Sequence, residues 1–81
     1  MLTELQPKYD GRKSFYKKAM VESAEGGFKL YSYNTLVAEV RNGKAIIKGF
    51  YSQTTLRHQK EFLKQNGFEA SSKKQMEEYL V

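Results

Sequence analysis

The stretch LVAEVRNGKAII, residues 36–47, decides the fold because it joins two alternating segments through the turn dipeptide Asn42-Gly43. A type I′ turn needs a positive φ at both central residues, and Asn-Gly adopts that conformation readily. The turn places Arg41 opposite Lys44 and thereby fixes the register of an antiparallel hairpin. The sequence therefore predicts two strands paired around residues 42–43.

The same register assigns each side chain of the hairpin to one face of the sheet. One face is apolar and carries Leu36, Ala38, Val40, Ala45 and Ile47. The opposite face pairs Glu39 with Ile46 and Val37 with Lys48. We therefore expect a helix to cover the first face and solvent to reach the second.

The alternation extends upstream of the hairpin. Residues 14–22 alternate between a face with Phe15, Ala19 and Val21 and a face with Tyr16, Lys18 and Met20. Such a pattern is typical of a half-buried strand, and a turn around Gly26-Gly27 separates it from a second strand over residues 28–33. Residues 1–13 show no sustained period and are interpreted as a lead-in segment. The sequence thus predicts an antiparallel β-meander of three to four strands over residues 14–51.

A single amphipathic helix is predicted over residues 52–67. Ser52 is a good N-cap, and Gly67 can adopt the left-handed conformation that ends a helix. At 100° per residue one side carries Leu56, Gln59, Phe62, Leu63 and Asn66, and the opposite side carries Arg57, Lys60, Glu61 and Lys64. Ser72 and Gln75 form a capping box that predicts a short C-terminal helix over residues 71–80. The fold class predicted for residues 1–81 is a single α+β domain, with the meander packed on the main helix.

The composition narrows the class of protein. The chain has 81 residues, no cysteine and a formal net charge of +5. It lacks both the apolar stretch of a signal peptide and the run of about 20 apolar residues that spans a bilayer. We expect a cytoplasmic protein with no membrane partner and an affinity for polyanions.

A basic, tyrosine-rich sheet face is the first candidate binding surface. In the predicted alternation it displays Tyr16, Lys18, Lys29, Tyr31, Tyr33, Arg41, Lys44 and Lys48. Rings among cations on a sheet suit base stacking and phosphate neutralisation by single-stranded nucleic acid. The alternative is structural, because tyrosine is also a good strand former that can pack under a neighbouring segment.

The start of the main helix is the second candidate surface, with Ser52, Thr54, Thr55 and Arg57. Free N–H groups, hydroxyls and a guanidinium at a helix N-terminus can hold a phosphate, although the more common arrangement is that Ser52 only caps the helix and the threonines only occupy its first turn. Further along the helix, Arg57, Lys60 and Lys64 form a basic stripe that can follow phosphates or simply face solvent.

The sequence contains few residues that indicate catalysis or metal binding. His58 is the single histidine, and the scattered carboxylates form no recognisable ligand set, so we expect no metal and no cofactor. We also expect no enzyme activity; His58 in a cleft beside a carboxylate or hydroxyl would be the reason to reconsider.

Several short segments carry a family resemblance. They are Tyr9-Asp10, Arg12, Ser14-Phe15-Tyr16, Ser32-Tyr33, Thr35, the run Tyr51 to His58, Glu61-Phe62-Leu63 and Gln65. In these segments the chain resembles small uncharacterised proteins of Firmicute phages, prophages and plasmids. The resemblance implies a mobile-element origin and a bacterial host cell, and it transfers no functional residue.

The function expected from these observations is that of a phage or mobile-element accessory protein acting as a non-catalytic binding module, with nucleic acid as the first candidate partner. The alternative is a protein–protein interaction module, either an inhibitor of a host protein or a self-associating homodimer.

Overall fold

Five antiparallel strands in chain order form the sheet in the computed structural model, which describes residues 2–80. The strands are β1 (Leu2–Glu4), β2 (Ala19–Ala24), β3 (Gly27–Ser32), β4 (Thr35–Arg41) and β5 (Lys44–Ile47). Helix α1 (Gln53–Gln65), the short helix α2 (Lys73–Met76) and a 3₁₀ turn (Glu77–Tyr79) follow. The predicted α+β class is confirmed, and the sheet has one strand more than the upper prediction. The extra strand is β1, which lies in the lead-in segment and pairs Leu2–Glu4 with Met20–Glu22 of β2.

Strand β2 begins at Ala19, so the prediction of a strand from Ser14 was wrong. Tyr16 and Lys17 have positive φ values of 54° and 63°, which no continuous strand allows. They form a turn in which the Lys18 N–H donates to the Phe15 carbonyl at 3.0 Å. Phe15 nevertheless reaches the core from this turn.

Strand β3 ends at Ser32, one residue before the predicted end. Tyr33 and Asn34 both have positive φ values, 51° and 68°, and connect β3 to β4 as a two-residue turn. This turn removes Tyr33 from the alternation of the strand, so its side chain does not lie on the predicted sheet face.

A β-bulge in β4 changes which hairpin residues reach the core. Leu30 pairs with Ala38 but Tyr31 pairs with Leu36, so Val37 is an extra residue in β4. Val37 is therefore buried in the core and Leu36 shares the face of Tyr31, the reverse of the predicted assignment. Beyond the bulge, the predicted register from Ala38–Ile47 to Arg41–Lys44 is confirmed.

Helix α1 covers the apolar face of the sheet. The Ser52 hydroxyl caps it by accepting from the Thr55 N–H at 3.1 Å, and the Phe68 N–H closes its end on the Leu63 carbonyl at 3.0 Å. The buried core between helix and sheet consists of Leu5, Phe15, Ala19, Leu30, Val37, Ala38, Val40, Ile47, Phe62, Leu63, Ala70 and Met76.

Glu61 is buried, although the helical pattern predicted it on the solvated side of α1. Its side of the helix is crossed by the lead-in segment, and the residue is only 1% exposed. The carboxylate accepts three consecutive backbone N–H groups, from Lys8, Tyr9 and Asp10, each at 2.9 Å. The Gln65 amide donates a fourth hydrogen bond at 2.6 Å. The buried charge therefore holds the lead-in segment against the helix.

Replacing Glu61 by Gln tests this anchor. The amide keeps the shape but places a donor against backbone donors, so we expect the free energy of unfolding in urea to fall by about 2–3 kcal/mol. Glu25→Gln makes the same chemical change in an exposed turn and should stay within about 0.5 kcal/mol of the parent. Equal stability of the two variants would contradict the anchoring role.

Candidate functional site

A groove lies between the turn at residues 14–18, the turn at Tyr33-Asn34 and the start of α1. Its volume is about 260 Å³. It is lined by Arg12, Ser14, Phe15, Tyr16, Lys18, Tyr33, Thr54, Arg57 and His58, and we call it the His58 groove. The groove brings together predicted candidates from both surfaces and joins them to residues of the lead-in segment.

Aromatic rings form much of the wall of the His58 groove. Tyr16 is 73% exposed and Tyr33 is 49% exposed. Phe15 meets the His58 ring edge to face at 4.7 Å between centroids, and Tyr33 lies 6.0 Å from the same ring. Tyr16 and Tyr33 are also two of the residues held at positive φ, a conformation that costs a bulky residue about 1 kcal/mol or more. Two large exposed rings therefore stand on turns with an unfavourable backbone conformation.

Three cations surround these rings. The Lys18 ammonium lies over the Tyr33 ring, 5.5 Å from its centroid. The Arg57 guanidinium is 3.8 Å from the Asp10 carboxylate, which leaves most of its fork of donors free, and Arg12 completes the set. The groove therefore combines flat apolar surfaces with positive charge.

A chain of hydroxyl groups connects His58 to the start of α1. The Ser32 hydroxyl lies 2.8 Å from His58 Nδ1 and 3.0 Å from the Thr55 hydroxyl. The Ser52 hydroxyl donates to the Thr55 oxygen at 3.3 Å. These bonds hold the imidazole against β3. The hydroxyls of Ser52 and Thr55 are therefore already hydrogen-bonded to other groups of the protein.

His58 is neutral at pH 7. Burial lowers its pKa from 6.5 to about 4, the nearby Asp10 carboxylate opposes this shift, and the cations Arg12 and Lys18 reinforce it. A group with this pKa is a weak base at neutral pH.

The cleft with a hydroxyl beside His58 meets the condition for reconsidering catalysis. However, Ser32 is only 2% exposed, so its oxygen cannot reach a substrate in the groove. The contact orients the ring and does not form an accessible nucleophile–base pair. The absence of enzyme activity stays a prediction.

The outer face of the sheet holds only part of the set predicted for it. Lys29, Tyr31, Arg41, Lys44 and Lys48 lie there, whereas Tyr16, Lys18 and Tyr33 lie in the His58 groove. The change follows from the two turns with positive φ, which take residues 16 and 33 out of the strands.

Carboxylates neutralise much of this outer face. Glu39 lies 3.7 Å from Arg41 and 3.9 Å from Lys48. The Tyr31 hydroxyl donates to Glu22 at 3.1 Å, and this bond raises the pKa of Tyr31. The face is therefore mixed in charge, and its attraction for phosphate groups is weaker than the sequence alone predicted.

The candidates on α1 divide between different environments. Ser52 and Thr55 serve the cap and the hydroxyl chain, which supports the structural alternative for both. Thr54 and Arg57 line the His58 groove, and Lys60 and Lys64 border a smaller depression of about 50 Å³ beside Tyr9 and Asp10. Arg57 borders this depression too, so the predicted basic stripe stays together along the helix, and Arg57 also reaches the His58 groove.

Sequence reasoning missed Arg12, Ser14 and Phe15 as site residues. They approach His58 because Glu61 anchors residues 8–10, and no local pattern in the lead-in segment signals that contact. Within residues 2–80, no group of three or more His, Cys, Asp or Glu side chains is placed to hold a metal ion. No helix in that range is long and apolar enough to cross a membrane.

The neutral state of His58 can be tested through the pH dependence of stability. Its folded pKa lies below its unfolded value, so the unfolded chain takes up the proton first, and stability should fall as the pH drops from 6.5 toward 4. We expect a loss of up to about 1.4 kcal/mol per pH unit in urea unfolding between pH 6.5 and 5. His58→Gln should be flatter over this range, and an imidazole pKa near 6.5 by NMR would contradict the assignment.

Comparison with known proteins places the chain in a family without giving it an activity. A protein-family model described as a family of unknown function (DUF8033) matches residues 3–78. No curated protein and no solved structure matches the chain.

Proposed function

The chain belongs to this family of unknown function, and we propose that it is a non-catalytic module that binds single-stranded nucleic acid in the His58 groove. The observation that carries the proposal is the meeting of exposed tyrosine rings and three cations at one groove.

The rings supply the stacking surface. Tyr16 is largely exposed and Tyr33 is about half exposed, beside the buried pair Phe15 and His58. Stacking of a base on an aromatic side chain contributes roughly 1–3 kcal/mol and requires an unpaired base. At about 260 Å³ the groove is small and suits one splayed-out base better than a duplex.

The cations supply the phosphate contacts. Arg12, Lys18 and Arg57 flank the rings, so a base on Tyr33 would carry its phosphates past positive side chains. The outer sheet face is the weaker candidate because Glu22 and Glu39 repel phosphates at its centre. Lys29, Arg41, Lys44 and Lys48 are best placed to add long-range attraction.

The cellular context of the proposal comes from the resemblance to proteins of Firmicute phages, prophages and plasmids. It supports an accessory role for a mobile element in the cytoplasm of a bacterial host, where single-stranded DNA and RNA are both available.

Tyr31 and Tyr33, two positions apart in the chain, provide a matched test because only Tyr33 lies in the groove. Tyr33→Ala removes a ring of the groove and should weaken binding of a labelled single-stranded oligonucleotide about tenfold in fluorescence anisotropy, measured near 50 mM salt. Tyr31→Ala removes a ring of the outer face and should change affinity less than about twofold. Thermal melts of both variants verify the fold. No binding by the parent, or equal losses in both variants, would contradict the proposal.

The outer sheet face supports a second candidate function, protein–protein interaction. A depression of about 260 Å³ on this face is lined by Leu2, Met20, Glu22, Tyr31 and Asn34. Leu2 is 51% exposed there, and α1 covers only the opposite face. An apolar depression among paired charges suits a protein surface, either a second copy of this chain or a host protein.

Self-association through this face can be measured by light scattering. Leu2→Asp places a charge in the depression and should convert a dimer to a monomer. Leu80→Asp is the control, because Leu80 is comparably exposed, at 42%, but lies beside β5 at the far edge of the sheet. A parent protein that is monomeric at every concentration would contradict the homodimer.

A further inference from the structure

The turn at residues 14–18 supplies much of the His58 groove. It contributes Ser14, Phe15, Tyr16 and Lys18 to the lining, and Tyr16 is the most exposed ring there. The groove offers a full stacking surface only while this turn keeps its place beside α1. The contacts that hold the turn therefore decide how much of that surface a ligand meets.

The backbone of this turn is unfavourable without outside support. Tyr16 and Lys17 have φ values of 54° and 63°, in the left-handed region that glycine and asparagine adopt more readily. Tyrosine and lysine lack the short polar side chain with which asparagine hydrogen-bonds its own backbone in this region. The conformation is therefore held by groups from other parts of the chain.

The Glu4 carboxylate of β1 supplies this support. Its Oε2 atom accepts the Lys17 N–H at 3.0 Å and the Ser14 hydroxyl at 3.3 Å. The Ser14 oxygen in turn accepts the Tyr16 N–H at 2.8 Å. One carboxylate oxygen thus satisfies, directly or through Ser14, the N–H groups of both left-handed residues.

The support extends through the backbone to the second exposed tyrosine of the groove. The Lys18 N–H donates to the Phe15 carbonyl at 3.0 Å, and the Lys18 carbonyl accepts the Tyr33 N–H at 2.9 Å. The two turns that form the groove wall are therefore hydrogen-bonded to each other. A displacement of the turn at residues 14–18 removes a contact that also holds Tyr33.

We infer that Glu4 is a positioning residue of the His58 groove, which holds the turn that presents Tyr16 to a base of single-stranded nucleic acid. The inference rests on the proposed function and adds to it a residue outside the groove lining. Glu4 acts through the turn and does not touch the ligand. Its negative charge by itself weakens the attraction for phosphates, so positioning and electrostatics predict opposite effects of removing it.

Two variants of Glu4 separate the hydrogen bonds from the charge. Glu4→Ala removes the acceptor, whereas Glu4→Gln removes the same charge but keeps one carbonyl oxygen, which can accept both hydrogen bonds as Oε2 does. Binding of labelled oligothymidylate and oligouridine, about 12 nucleotides long, is measured by anisotropy near 50 mM salt. We expect Glu4→Ala to bind about fivefold more weakly than the parent, and Glu4→Gln to bind at least as tightly as the parent. Thr3→Ala, in the same strand, should change affinity less than about twofold.

Amide hydrogen exchange shows whether the turn itself responds. In Glu4→Ala the Lys17 and Tyr33 amides should exchange about tenfold faster than in the parent, and in Glu4→Gln they should match the parent. The Leu5 amide, which donates to the Ala19 carbonyl at 2.9 Å, reports whether β1 still pairs with β2 and should stay unchanged. If Leu5 also exchanges faster, Glu4→Thr provides the test, because threonine restores a strand-forming residue with a side chain too short to reach the turn.

The outcomes distinguish the inference from the proposed function. Unchanged or tighter binding by Glu4→Ala, or equal losses in Glu4→Ala and Glu4→Gln, overturns the positioning role and leaves the binding function intact. Unchanged exchange of the Lys17 amide in Glu4→Ala likewise overturns the positioning role alone. Failure of the parent protein to bind either oligomer overturns both.

Discussion

The buried carboxylate of Glu61 is the interaction on which the arrangement of the chain depends. A carboxylate without water needs several donors, and here three consecutive backbone N–H groups of residues 8–10 supply them together with Gln65. This requirement holds an otherwise irregular segment across α1. It also delivers residues 12–18, two residues further along the chain, to the start of the same helix, where the His58 groove forms.

Polar side chains of α1 connect the helix to the sheet as well as to the lead-in segment. The Gln59 amide donates to the carbonyls of Val37 and Gly49, at 3.1 and 2.9 Å, and so satisfies the backbone at the bulge of β4. His58 and Thr55 meet Ser32 of β3. Each contact directs the helix to one position over the sheet, which apolar packing alone specifies less sharply. The groove is therefore built on a rigid frame, although turns supply much of its wall.

The two surfaces of the molecule differ in how their charges are used. On the outer sheet face, Glu39 forms ion pairs with Arg41 and Lys48. Glu22 accepts a hydrogen bond from the Tyr31 hydroxyl. Within residues 2–80, the residues that line the His58 groove include no carboxylate, and Asp10 contacts one of its cations, Arg57, from the neighbouring depression. Positive charge thus stays available to a ligand where the rings are exposed, and this coincidence distinguishes the groove from the sheet face.

The sequence by itself determined the α+β class, the hairpin at Asn42-Gly43 and the capped helix from Ser52, because each depends on residues that are neighbours in the chain. Only the tertiary structure decided that Glu61 is buried, that Val37 enters the core instead of Leu36, and that Tyr33 belongs to the groove. A buried glutamate and a solvated one look alike in a helical pattern, and a bulge or a left-handed tyrosine interrupts the period of two on which strand faces are assigned. The types of residue in the candidate site, tyrosines and cations, were therefore predictable from the sequence. Their position was not, because it depends on contacts between segments far apart in the chain.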